Sequence, residues 1–135
     1  MTQTVRTVVV EDDVVTSTQP PLIAFLRLSA LACRAAPRGS LRACALLDPD
    51  AGAEDYAMAL ARTLPEMTMR RPVIWRPGAT GRSFDEDWLL SLQDALRRRD
   101  GASLRFLTRS RVRPEAAPYL LLVLRGLCER LDSAA

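Results

Sequence analysis

The side chains available for chemistry are unusually few in kind: all 19 cationic residues are arginine, and histidine, lysine and asparagine are absent. Without imidazole there is no Ser-His-Asp or Cys-His pair, no histidine metal ligand and no general base of ordinary pKa near neutrality. Without lysine there is no Schiff base and no phosphate-binding Walker lysine. Carboxylate pairs occur at Asp12/Asp13, Asp48/Asp50 and Asp85/Asp87. Adjacent acids at turns and helix starts ordinarily satisfy free backbone N–H groups, and with no histidine beside them they are read as caps. Cys33, Cys44 and Cys128 are odd in number, widely spaced and set in apolar context, which points to reduced core residues. The expectation is a protein that is not an enzyme, with no catalytic residues, no metal and no cofactor.

What remains is charge. Residues 1–67 carry six arginines and eight acids, whereas residues 68–135 carry thirteen arginines and eight acids, so the halves net to minus two and plus five. A GC-rich coding sequence gives the same arginine bias, so arginine content alone does not point to nucleic acid. The densest run is Arg97, Arg98, Arg99, Arg105, Arg109, Arg111 and Arg113, opposed only by Asp100. Such a cluster can neutralise phosphates or grip an acidic protein face by bidentate pairing, and it is the candidate partner-binding site. The bland alternative is a solvated helix face. The seven aromatic residues are scattered, not interleaved with these arginines, and no base-reading module is recognisable.

Two other patterns carry partial signatures. Arg76-Pro77-Gly78-Ala79-Thr80-Gly81-Arg82-Ser83 looks like a P-loop with arginine in the first glycine and lysine positions. Asp85, Glu86 and Asp87 follow at once, however, and would repel the phosphates such a loop must hold. Val8-Val9-Val10-Glu11-Asp12-Asp13, Leu46-Leu47-Asp48, Pro72-Val73-Ile74 and Phe106-Leu107-Thr108 resemble the strands of response-regulator receivers. Arg109 then stands in place of the receiver lysine, and the interval from Asp13 to Asp48 is too short for a normal second strand and helix. A degenerate α/β receiver-like domain is the alternative fold.

The elements that position these residues read as mostly helical. Thr4–Val15 is valine-rich and left open between a short strand and a tail, and residues 1–19 are treated as extended or flexible. A helix starts at Pro20-Pro21 with Leu22, Phe25, Leu26, Ser29 and Cys33 on one face, and Pro37-Arg38-Gly39 stops it. Leu41–Leu47 is apolar but too short to assign. After the Asp48–Gly52 turn, Tyr56, Leu60 and Leu64 define a second helix that Pro65 closes. Met67–Ser83 is a loop or extended link. Ser83 and Glu86 make a capping box, opening a helix with Phe84, Trp88, Leu89, Leu92, Ala95 and Leu96 inward and Arg97–Arg99 at its end. Residues 103–110 fit a helix better than a strand. From Pro118 to Leu131 a last helix lines up Leu120, Leu124, Leu127 and Leu131, with further apolar residues around its first turns.

The stretch from Arg70-Arg71-Pro72 through Glu86-Asp87-Trp88 to Leu131, with Pro20-Pro21-Leu22-Ile23 to Leu28, resembles a group of small uncharacterised helical alphaproteobacterial proteins. The resemblance implies a helical scaffold. It also implies that a histidine and a cysteine pair of that group are replaced here by Arg76, Thr80 and Arg82, so that a metal or thiol site has been vacated.

Together these readings predict one all-α domain over residues 1–135, of about five helices. With 48% hydrophobic and 26% charged residues the chain should fold. Glu11–Asp13 interrupt any signal peptide, and Leu22–Cys33 is too short and too charged, at Arg27, to span a bilayer. The expected setting is the cytoplasm, without membrane insertion. The expected role is that of a small regulatory or adaptor protein that binds another protein through the seven arginines and the apolar last helix. A nucleic-acid-binding regulator using the same arginines is the alternative, and self-association is a further partnership the surface permits.

Overall fold

The computed structural model describes residues 19–34 and 48–134, in which five α-helices account for nearly all regular structure. α1 is Pro21–Arg34, α2 Ala53–Met67, α3 Phe84–Arg98, α4 Gly101–Arg111 and α5 Ala117–Ala134, with a 3-10 turn at Pro114–Ala116 leading into α5. The fold is all-α. No strand occurs among the described residues, only an isolated antiparallel bridge between Thr68 and Val112. The receiver-like alternative is therefore overturned: Val73-Ile74 lies in non-repetitive chain and Phe106–Thr108 lies within α4. The readings placed on Thr4–Val15, Pro37–Gly39, Leu41–Leu47 and Cys44 lie outside the described residues.

α2 is the central element, packed along both α1 and α5. Leu22 and Leu26 of α1, Leu60, Leu64 and Met67 of α2, and Leu120, Leu124 and Leu127 of α5 are fully or almost fully buried. Burying a leucine-sized side chain contributes about 1.5–3 kcal/mol, so these stripes dominate the cohesion of the three helices. α2 and α5 pack tightly at Gly126, where a Cβ would collide with the Tyr56 ring. The same ring carries the Arg130 guanidinium 4.0 Å from its centroid, and Arg130 also donates to the carbonyls of Pro49 (2.8 Å) and Ala51 (2.5 Å). Glycine at this crossing lets the two helices close around an aromatic ring.

α3 joins this bundle through Trp88, Leu89 and Leu92, and α4 packs chiefly on α3. The start of α3 follows the expected capping box: Ser83 Oγ accepts from Glu86 N at 3.1 Å while Ser83 N donates to Glu86 Oε1 at 2.9 Å. Two details depart from expectation. Pro65 does not close α2, which continues to Met67, because the ring removes one N–H but leaves the last turn free to form. Phe84 does not face the core: it is 72% exposed, since the first turn of α3 directs Asp85, Glu86 and Trp88 inward. At the base of the α3–α4 hairpin, Met69 N donates to Arg111 O (2.8 Å) and Arg113 N to Met67 O (2.9 Å), closing a neck. Among the described residues no helix is long and apolar enough to cross a membrane.

Candidate functional site

The arginine cluster of the C-terminal half is distributed by the turn between α3 and α4. Arg99 adopts a left-handed conformation (φ 55°), which ends α3. Asp100 then caps α4, accepting from Ser103 N at 3.0 Å and Ser103 Oγ at 2.6 Å. Hydrogen bonds from the Ser103 hydroxyl and N–H, with the nearby Arg98 charge, hold the Asp100 carboxyl below its usual range. This reversal sends the seven candidate residues to different places.

Arg97 pairs with Asp132 of α5 at 2.6 Å, and Arg98 pairs with Asp94 (2.9 Å) and Asp100 (3.2 Å). Arg111 is bound to Asp85 and stacks on Phe84 and Trp88, with 4.7 and 5.8 Å to the ring centroids. Arg113 donates from Nε to Glu66 O at 3.2 Å and turns toward the end of α2. Arg99, Arg105 and Arg109 are exposed and form no ion pair with an acid among the described residues. Four of the seven thus have intramolecular partners, and the cluster is not one continuous surface.

α4 itself is a shallowly attached helix. Only Thr108 is buried, and the indole of Trp88 donates to Leu107 O at 3.0 Å. Its outward stripe contains Ala102, Arg105, Phe106 and Arg109, spaced by three and four, with Phe106 74% exposed. The last helix adds one large exposed apolar residue, Leu122, while Leu120, Val123, Leu124, Leu127 and Leu131 are spent in the core.

The strongest polar assembly lies elsewhere, at Arg27 and Glu86. Arg27 Nε reaches Glu86 Oε2 at 2.8 Å and Nη2 reaches Oε1 at 2.9 Å, with side-chain exposures of 2% and 0%. The same guanidinium donates to the carbonyls of Ala79 (2.9 Å) and Gly81 (2.8 Å), and Glu86 also accepts from Trp75 N at 3.2 Å. Burial alone would raise the Glu86 pKa. The Arg27 hydrogen bonds and charge, with the Ser83 and Trp75 N–H groups, outweigh it and hold the carboxyl below its ordinary value.

This clamp defines the loop that was compared with a P-loop. Gly78 and Gly81 have φ of 87° and 74°, and the loop presents carbonyls to a cation where a P-loop presents N–H groups to an anion. Arg76, Thr80 and Arg82, the positions of the vacated site implied by the resemblance, are all exposed, and Arg82 pairs with Asp87 at 2.6 Å. Among the described residues no three His, Cys, Asp or Glu side chains converge to hold a metal ion. The sequence signal for the clamp was Arg27 itself, placed four residues after Ile23 on a buried helix face.

A helical scaffold with a buried ion-pair clamp and a peripheral arginine-phenylalanine helix is the class of protein these features define. No family model, curated protein or solved structure matches the chain.

Proposed function

We propose that the protein is a non-enzymatic binding protein that engages another protein through the outer face of α4. The observation that carries this reading is the exposed stripe of Phe106 with Arg105 and Arg109, on a helix that contributes one buried residue to its own fold. Aromatic and arginine side chains dominate interface energetics, and a solvated phenylalanine flanked by cations suits an apolar pocket rimmed by acids. Arg97, Arg98 and Arg111 are neutralised by the protein's own carboxylates, which favours this smaller surface over a broad phosphate-binding one.

The test uses affinity capture from the native host by the wild type, Phe106→Ser, and the double variant Arg105→Glu/Arg109→Glu. A partner retained by the wild type and lost by both variants, with unchanged thermal melting, supports the reading. A partner retained by all three overturns it. Binding to DNA or RNA that collapses steeply with salt, with no protein captured, favours the nucleic-acid regulator instead.

A further inference from the structure

A second concentration of arginine lies away from the outer face of α4. The last turn of α1, the second half of α2, the chain from Thr68 to Ile74, and Arg113 enclose a groove of about 980 Å³. Five arginines line it, Arg34, Arg62, Arg70, Arg71 and Arg113, against one acid, Glu66. None of the five forms an ion pair among the described residues. Arg113 uses Nε on the Glu66 carbonyl. Arg62 Nε is buried without a hydrogen-bond partner among the described residues. Between the arginines the walls are apolar, including Leu64, Met69 and Ile74.

We propose that this groove binds a small phosphate-bearing molecule with an apolar body. Guanidinium groups match phosphate oxygens in bidentate geometry, and five of them against one carboxylate give a local field that favours a multiply charged anion. The volume is that of a small-molecule site, and the mixed lining has a place for each end of such a ligand. The concave setting between three elements fits a free molecule better than an extended polymer. The site shares no residue with the α4 stripe of Arg105, Phe106 and Arg109, so either assignment can fail without the other.

The test is calorimetric titration of the intact protein with pyrophosphate and with ATP. The variants are Arg62→Gln/Arg113→Gln, Arg70→Gln/Arg71→Gln, and the control Arg76→Gln/Arg125→Gln, which removes the same charge elsewhere. Both groove pairs should weaken pyrophosphate binding by about tenfold or more while the control stays within about twofold. Glu66→Gln should tighten it. Arg70 and Arg71 are exposed, so their pair remains informative if the other variant melts early. No binding at millimolar pyrophosphate or ATP overturns the proposal, as does equal weakening by groove and control variants. Tighter binding of anionic vesicles or of single-stranded oligonucleotide than of either small probe overturns it as well.

Discussion

Arg27 of α1 and Glu86 of α3 meet as a two-pronged ion pair sealed from solvent, with Nε–Oε2 at 2.8 Å and Nη2–Oε1 at 2.9 Å. Four backbone groups complete the assembly, the carbonyls of Ala79 and Gly81 and the N–H groups of Ser83 and Trp75. The pair therefore ties two helices and a loop through one contact. Removing one partner leaves an uncompensated buried charge, which costs about 3–5 kcal/mol. Arg27→Leu and Glu86→Leu should each lower the unfolding free energy from urea titration by that measure. The double variant should lose less than the sum of the two. Simple additivity would show that the charges do not act on each other.

Acid should weaken the protein through the same residue. The folded Glu86 carboxyl titrates below its ordinary value of 4.5, so its contribution is complete above that pH and is lost as pH falls toward the folded pKa. Urea midpoints measured from pH 7 to pH 3 should fall in that acid window, and more steeply for the wild type than for Glu86→Gln. Equal slopes would remove Glu86 from the account.

Gly126→Ala tests the crossing of α2 and α5. Alanine favours a helix by up to about 1 kcal/mol over glycine, but a Cβ here meets the Tyr56 ring, and overpacking of this kind costs about 1–3 kcal/mol. The variant should melt earlier than the wild type, and adding Tyr56→Leu should recover part of the loss. A raised melting temperature for Gly126→Ala would contradict the close approach.

Cys128 should be inert. Burial raises its thiol pKa, against the smaller opposing effects of a Gln93 hydrogen bond and the Arg97 charge. Iodoacetamide labelling followed by peptide mass spectrometry should find Cys128 unmodified in native buffer and modified in guanidinium. Equal labelling in both would place the thiol in solvent.

Much of the helical framework was legible from local chemistry. Ser83 with Glu86 and Pro21 in a first turn are signals written within three or four residues, and those helices begin where they indicate, whereas α4 begins at Gly101, two residues before the expected 103, because the Asp100 side chain caps it. The leucines of α5 at positions 120, 124, 127 and 131 are buried as their spacing predicts. The arginine cluster was harder, because composition counts charges without their partners. Asp132 lies far along the chain from Arg97, and Asp85 from Arg111, so only the fold reveals which guanidiniums are already paired. Phe84 was misjudged for a related reason: periodicity places it beside Trp88, but the capped first turn sends it outward. Arg27 was visible as an anomaly in an apolar helix, although its acceptor lay in the acidic start of another.

The neck formed by Thr68 and Val112 also bears on the order in which the molecule assembles. α2 and α5, the two helices that share most of the core with α1, are separated in sequence by the whole α3–α4 excursion. Joining them directly means closing a long loop, whose entropic cost precedes any reward from contact. The α3–α4 hairpin itself needs only local contacts, and the neck that sets Met67 beside Arg113 is the long-range pairing that shortens this loop. Once it forms, α5 begins a short 3-10 turn away from the end of α2, so the last helix in the chain is delivered to the bundle by the segment that divides it.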